Sequence, residues 1–287
     1  MQALNDRCFA NFICLIYYRM SEKIYEPQFK PSQEIIEAFI DFYAVVGQLR
    51  RDCPWDREQT HESVKHMLIE ESYEAVDAID EEDWDELSRE LGDVFLHVLF
   101  HSDIASASST FTLLEVMERE TEKLVRRHPH VFGDVKVNSV EEVHQNWNRI
   151  KKQESRRATL DGIPKHLPAL QRAYRIQEKA ASVGFDFSNS EETWGKVEEE
   201  VGELKSLIDT NATLEEKEKE FGDVLFALVN YARFIGLQPE NALRLTNAKF
   251  KSRFTHIEER LEAQQKVWSD VDLEEMDGYW EEAKNME

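Results

Sequence analysis

Glu70-Glu71-Ser72-Tyr73-Glu74, followed by Glu90-Leu91-Gly92-Asp93, returns later in the chain as Glu199-Glu200-Val201-Gly202-Glu203, followed by Glu220-Phe221-Gly222-Asp223. On a helix, residues three or four apart share a face. Glu200 and Glu203 are therefore neighbours, as are Glu199 and Glu203, and Glu220 pairs with Asp223 on the following helix. A short turn at Thr210-Asn211 makes the two helices antiparallel, so the pairs can face each other. Carboxylates gathered this closely raise one another's pKa unless a cation compensates. The repeated set offers oxygen ligands only, without Cys or His, which points to Mg²⁺ or Mn²⁺. The expected ligands are Glu200, Glu203, Glu220 and Asp223. A second possible site in the first half comprises Glu70, Glu71, Glu74, Glu90 and Asp93. One such cluster among 58 acidic residues would read as a solvated helix face; two copies in the same order argue for a site.

Basic and aromatic residues repeat with the carboxylates. Lys123 and Arg127 match Lys249 and Arg253, and Trp147 and Lys151 match Trp280 and Lys284. Magnesium held by carboxylates keeps waters and takes up substrate phosphates, which gives these residues a role. Lys249 and Arg253 can neutralise phosphate oxygens, Arg through a bidentate fork. Trp280 offers a flat face for a base, and Lys284, one turn on, can reach phosphate or sugar. Lys196, one turn before Glu200, is a further phosphate contact. The plainer alternative makes these residues surface ion pairs, each worth under about 1 kcal/mol, and Trp280 a core residue. The chemistry that fits the whole set is metal-assisted attack of water on a nucleoside triphosphate. Glu199 is the candidate base, because it precedes the Glu200/Glu203 pair and points partly elsewhere. Spacing leaves open which bond breaks.

The elements that must position these side chains are helical from Pro31 onward. The periodicity predicts helices over Gln33–Arg50, Thr60–Ala78, from Asp83 onward, Leu113–Arg127 and Val140–Gln153. In the second half it predicts Leu170–Val183, Glu191–Ile208, a helix opened by Thr213 with Glu216, Pro239 to about Gln265, and a terminal helix around Trp280. Leu87, Leu91, Val94, Phe95 and Val98 form the expected core stripe in the first half; Phe221, Val224, Leu225, Leu228 and Val229 form it in the second. Gly92 and Gly222 stand mid-helix, where Gly is unfavourable by about 1 kcal/mol relative to Ala; close approach of a partner helix or of substrate would explain them. Thr159 to Pro164 reads as a linker. The expected organisation is an N-terminal extension over residues 1–30, a first domain over 31–158 and a second over 159–287. A period of roughly 130 residues is too long for a solenoid unit and reads as a duplicated domain.

Composition sets limits. The 10 Gly and 7 Pro are few, which disfavours strand-and-turn architecture. The net charge of −23 argues against sequence-independent binding to nucleic acid, which needs a basic face, but leaves room for a small anionic ligand beside a metal and local Lys or Arg. Three cysteines without C-x-x-C spacing are simplest in a reduced, cytoplasmic compartment. There is no run of eighteen apolar residues, so no membrane span is expected. The apolar stretch Cys8 to Tyr18 lacks the flanks of a signal peptide and reads as a disordered or loosely docked extension.

The chain resembles the MazG family of nucleoside triphosphate pyrophosphohydrolases. The matching stretches are Cys53-Pro54-Trp55-Asp56 with Gln59-Thr60-His61-Glu62-Ser63, both acidic sets, and Arg126-Arg127-His128-Pro129-His130-Val131-Phe132. Leu160-Asp161-Gly162-Ile163-Pro164, Val183-Gly184-Phe185-Asp186-Phe187 and Tyr279-Trp280-Glu281-Glu282-Ala283-Lys284 match as well. The resemblance runs from about residue 34 to the C-terminus. It implies an all-α fold of tandem helical domains that form four-helix-bundle modules in a homodimer. It implies Mg²⁺-dependent hydrolysis of NTPs and dNTPs to the monophosphate and pyrophosphate, with a nucleotide-pool or stress-response role. It also implies a nucleotide site in the second half, with Lys196, Lys249, Arg253, Trp280 and Lys217 holding the nucleotide. The first half has Met67 where the second has Lys196, which favours the second half as the principal site.

Two rival readings stand beside this one. A di-iron carboxylate bundle needs Glu-x-x-His pairs, and Glu90, Asp93 and Glu220 have no His three residues later. His97 and His101 have a zinc-like i, i+4 spacing, but Ala227 and Tyr231 stand at the matching positions, so both read as packing or hydrogen-bonding residues. A helical adaptor with acidic grooves is the non-enzymatic alternative.

Overall fold

The computed structural model describes residues 29–154, 158–208, 210 and 212–286. The expected N-terminal extension lies outside the described residues except for its last two. All regular elements among the described residues are α-helices or short 3₁₀ turns. The chain divides into two compact units, Met1–Gln153 and Glu154–Glu287.

The first unit contains α1 (Gln33–Asp52), α2 (His61–Asp80), α3 (Trp84–Ala107), α4 (Leu113–Arg127), the single turn α5 (Pro129–Phe132) and α6 (Val140–Glu154). The second contains α7 (Ala169–Ala181), α8 (Ser190–Ile208), α9 (Leu214–Phe234), α10 (Pro239–Ala263) and α11 (Leu273–Met286). In each unit a tightly connected helix pair carries the carboxylates: α2 with α3, and α8 with α9.

Capping sets the register of these pairs. Thr60 opens α2 by accepting from Ser63 N at 3.2 Å while Ser63 Oγ accepts from Thr60 N. Asn189 Oδ1 accepts from Glu192 N at 2.8 Å in front of α8. Asp83 caps α3 through Glu86 N at 2.9 Å, and Thr213 caps α9 in a capping box with Glu216. Measured from these caps the two copies agree. Glu71 is 11 residues past Thr60 and Glu200 is 11 past Asn189; Glu90 is 7 past Asp83 and Glu220 is 7 past Thr213. Glu90 follows Glu71 by 19 residues and Glu220 follows Glu200 by 20; the extra residue lies before the second cap, not in the position of any carboxylate on its helix.

An arginine–aspartate pair anchors the loop ahead of each Glu-bearing helix. Arg50 of α1 bonds Asp103 of α3 at 3.1 Å and also holds the carbonyls of Asp56 and Gln59. That fixes the Cys53-Pro54-Trp55-Asp56 loop and delivers Thr60 to the start of α2. In the second unit Arg233 of α9 pairs with Asp186. This holds the Val183-to-Phe187 loop, whose turn needs Gly184 at φ +91°, ahead of α8.

The cores are small. Val46, Val64, Leu99, Phe100 and Ile104 form the centre of the first unit, with Phe39, Phe42, Met67, Leu96 and Leu113 against it. Ile257, Leu261 and Tyr279 form a cluster between α10 and α11, flanked by Val271, Met276 and Trp280. The expected apolar stripes are only partly buried. Val224 and Val229 are enclosed, but Leu91, Phe95, Val98, Phe221, Leu225 and Leu228 are exposed. Within its unit α3 packs against α1, α2 and α4, and Leu91, Phe95 and Val98 stay exposed among the described residues. Gly92 and Gly222 likewise have no close neighbour, since a Cβ at either would meet nothing within 4 Å. Among the described residues, close approach of another helix is therefore not their explanation.

Candidate metal centres

The register set by the caps brings three carboxylates together in each unit. Glu71, Glu90 and Asp93 each offer an oxygen within 4.8 Å of the other two, and so do Glu200, Glu203 and Glu220. In the first trio Glu90 is buried, Glu71 half-buried and Asp93 exposed. In the second Glu200 is buried, Glu220 half-buried and Glu203 exposed. Each trio thus has a buried floor and a face open to solvent, the arrangement an ion needs to meet a substrate. Glu74 and Asp223, also in the expected sets, lie outside the tight groups but close enough to act on them electrostatically.

The electrostatics are those of crowded, partly buried anions. Burial, followed by the charge of Glu74, pushes Glu90 up to about 7. Burial and then Asp93 raise Glu71; burial, then Glu203 and Asp223, raise Glu220. Glu90 Oε2 and Glu220 Oε2 are buried without a hydrogen-bond partner. A buried carboxylate oxygen without a donor is costly, and a divalent cation would satisfy it. The donor set, all oxygen and strongly anionic, fits a hard ion.

The surroundings of the trios differ. Lys196 Nζ lies 2.6 Å from Glu200 Oε1 and 2.9 Å from Glu199 Oε1, and these bonds raise its own pKa, that to Glu200 most. Of the expected nucleotide contacts, Lys196 therefore rests on the carboxylates. The matching Met67 packs on the hydrophobic core. In its place the first trio has His97, on α3, whose Nε2 is 4.0 Å from Glu71 Oε1. Behind it His101 meets His61 with Nδ1 atoms 2.8 Å apart. The i, i+4 spacing of His97 and His101 was the sequence signal for this group; their approach to Glu71 and His61 depends on the packing of α2 against α3.

Arg253 lies over the Trp280 ring at 5.3 Å, and Arg127 lies over Trp147 at the same 5.3 Å, so the repeated basic–aromatic set forms the same stack in each unit. Lys151 adds a second cation 4.6 Å from Trp147. Lys284 instead bonds Glu281 at 3.0 Å. Lys123 pairs with Glu120. Lys249 is exposed on α10, and Lys217 is half-buried on α9 one turn before Glu220. Glu70 and Glu199 are both exposed, beside their trios rather than within them. Trp280 serves as core and surface at once: it packs on Ile257, Leu261 and Tyr279 and meets Phe250 at 5.1 Å.

No helix among the described residues is long and apolar enough to cross a membrane.

Comparison with known proteins finds the same duplication. The profile of a family described as MazG nucleotide pyrophosphohydrolase domain matches twice, over residues 59–132 and 189–258. Each match contains one carboxylate trio. A nucleoside triphosphate pyrophosphohydrolase/pyrophosphatase MazG of Thermotoga maritima is 44% identical over 251 residues, 86% of this chain and 95% of the relative. A nucleoside triphosphate pyrophosphohydrolase of Escherichia coli is 39% identical over 260 residues, 86% of this chain and 98% of the relative. The uncharacterized protein YabN of Bacillus subtilis is 46% identical over 269 residues, 92% of this chain but 55% of that longer protein.

Proposed function

Since the chain belongs to the MazG nucleotide pyrophosphohydrolase family of hydrolases acting on acid anhydrides, we propose that it hydrolyses NTPs and dNTPs to the monophosphate and pyrophosphate with Mg²⁺. The proposed role is control of the nucleotide pool, in housecleaning or under stress. The observation that carries this reading is the second trio, with its unpartnered Glu220 oxygen, next to a lysine and within a unit that also presents a cation-capped indole. Glu200, Glu203 and Glu220, with Asp223 beside them, would hold the ion; Mn²⁺ can substitute for it. When bound, the ion polarises phosphate oxygens and lowers the pKa of a coordinated water.

The chain's own residues supply the rest. Glu199 lies exposed beside the trio, with Oε1 accepting from Lys196, and would accept the proton of the attacking water. The water oxygen bonds to the α-phosphorus, the α–β bridge breaks, and pyrophosphate departs with the electron pair. Lys196 holds Glu199 and Glu200 in place and, when a divalent cation takes over Glu200, can turn to a phosphate oxygen. Arg253 and Lys249 neutralise phosphate charge, with Lys217 and Lys284 as further contacts. Trp280 offers its ring to the base. The exposed apolar residues of α3 and α9, Leu91, Phe95, Phe221 and Leu225 among them, support a homodimer in which a second copy covers them and completes the four-helix modules.

The test is a panel of NTPs and dNTPs incubated with Mg²⁺, with monophosphate and pyrophosphate quantified together. Equal release of both supports the reading. Failure to turn over any nucleotide would favour the helical adaptor, and release of orthophosphate would assign cleavage to a different bond.

A further inference from the structure

α11 meets α10 along a narrow buried line. Tyr279 and Ala283 are buried on it, and Tyr279 packs with Ile257 and Leu261 of α10. With 3.6 residues per turn, Trp280 and Glu282 fall on opposite flanks of that line. On one flank the Trp280 ring meets Phe250 at 5.1 Å and carries the Arg253 guanidinium at 5.3 Å. On the other, Glu282 Oε2 faces two side chains of α10, Arg260 Nε at 3.2 Å and His256 Nε2 at 3.5 Å. His256 Nε2 is buried without a hydrogen bond, so this carboxylate is the acceptor that faces it. Arg260 also lies over the Tyr279 ring at 5.4 Å, which ties the flank to the buried line. The first unit is built differently. Counted from the repeated tryptophans, Arg149 stands where Glu282 stands, and it hydrogen-bonds Asn146 of its own helix at 3.3 Å.

A helix packed along a narrow line can roll about its axis, and any roll displaces the side chains on its flanks. Contacts on both flanks oppose that motion. We propose that Glu282 is a positioning residue: by holding Arg260 and His256 it fixes the roll of α11 and keeps the Trp280 ring seated where it receives the base. This role rests on the nucleotide site proposed above and names a determinant of how tightly that site holds its substrate. Glu282 acts through Trp280 and takes no part in the chemistry. Its side chain is 49% exposed and that of Arg260 is 42% exposed, and ion pairs so exposed add little to stability. Loss of the clamp should therefore show in the placement of the ring rather than in folding.

The test uses the full chain labelled with 5-fluorotryptophan and read by ¹⁹F magnetic resonance without nucleotide, the Trp280 signal being assigned by Trp280→Phe. Glu282→Arg sets like charge against Arg260 and should shift or broaden the Trp280 signal. Adding Arg260→Glu restores opposite charge and should return it. With Mg²⁺ and a nucleoside triphosphate, Glu282→Gln should raise KM about 3- to 5-fold, with kcat and Tm nearly unchanged. The same Glu282→Gln protein serves for the ¹⁹F measurement if Glu282→Arg does not fold. A Trp280 signal indifferent to both substitutions would overturn the proposal whatever the activity. Loss of Tm and kcat together, without a separate effect on KM, would overturn it by making the clamp a structural contact only. A wild type that turns over no nucleotide while its Trp280 signal still responds to Glu282→Arg would overturn the proposed function, and with it the use of the clamp in substrate binding.

Discussion

Lys196 Nζ sits 2.6 Å from Glu200 Oε1, one helical turn away on α8, and so places a cation on the buried floor of the second trio. The first unit has Met67 at that position. The ammonium moderates the repulsion among the carboxylates, and it must yield when a divalent cation arrives.

Lys196→Met should therefore separate binding from turnover. With the competing ammonium removed, Mg²⁺ affinity is expected to rise or hold. Turnover should fall on the order of 100-fold, as for loss of one preorganised contact to transferring phosphate. Calorimetric titration of Mg²⁺ beside steady-state kinetics checks this; parallel loss of metal and turnover would make Lys196 a purely structural partner of Glu200.

The raised carboxyl groups fix the sign of a pH effect. Glu90 titrates near 7 in the folded protein against an ordinary value of 4.5, and Glu71 and Glu220 shift the same way. The folded state thus binds more protons than the unfolded chain within that window. The stability this contributes is complete below the ordinary carboxylate range and is lost as pH rises towards 7. Metal-free protein should show a falling Tm between about pH 4.5 and 7, and the increment added by Mg²⁺ should grow across the same interval. Glu90→Gln should flatten both curves.

Trp280 has two duties that substitutions can divide. Trp280→Ala removes core contacts with Ile257, Leu261 and Tyr279 and should cost about 2–3 kcal/mol, less than a fully buried ring, together with nucleotide affinity. Arg253→Lys keeps the charge but loses the planar stack at 5.3 Å, worth about 0.5–1 kcal/mol. It should raise KM a few-fold with little change in Tm. Thermal melts beside KM values distinguish the two.

Phe221, 54% exposed, and Leu225, 38% exposed, stand one turn apart on α9. If a second copy covers them, Phe221→Asp with Leu225→Asp should convert a dimer to a monomer in light scattering. A monomeric wild type would remove that interface.

The register of the carboxylates was legible in the sequence because it is local. Caps such as Thr213 with Glu216 and spacings such as Glu200 to Glu203 depend on one helix at a time. The helical class was legible for the same reason, and the duplication because the same string of motifs recurs, whereas the stacking of Arg253 on Trp280 joins two helices. Which apolar residues are enclosed was not, because Leu91 and Phe221 match the helical period yet face away from their own unit's core. Nor was the pairing of Lys196 with Glu199 and Glu200 singled out, although i, i+3 and i, i+4 spacing allows it; a phosphate role was expected from the same lysine. The approach of His97 to Glu71 depends on how α3 packs on α2, a relation between helices that period and spacing do not encode.

The most direct measurement is pyrophosphate release from a nucleoside triphosphate with Mg²⁺ by wild type, Glu203→Ala and Glu74→Ala side by side. Glu203→Ala should abolish most turnover by removing an exposed carboxylate of the second trio, and Glu74→Ala should lose much less. Full activity in Glu203→Ala with loss in Glu74→Ala would contradict the assignment and move the catalytic centre to the first unit.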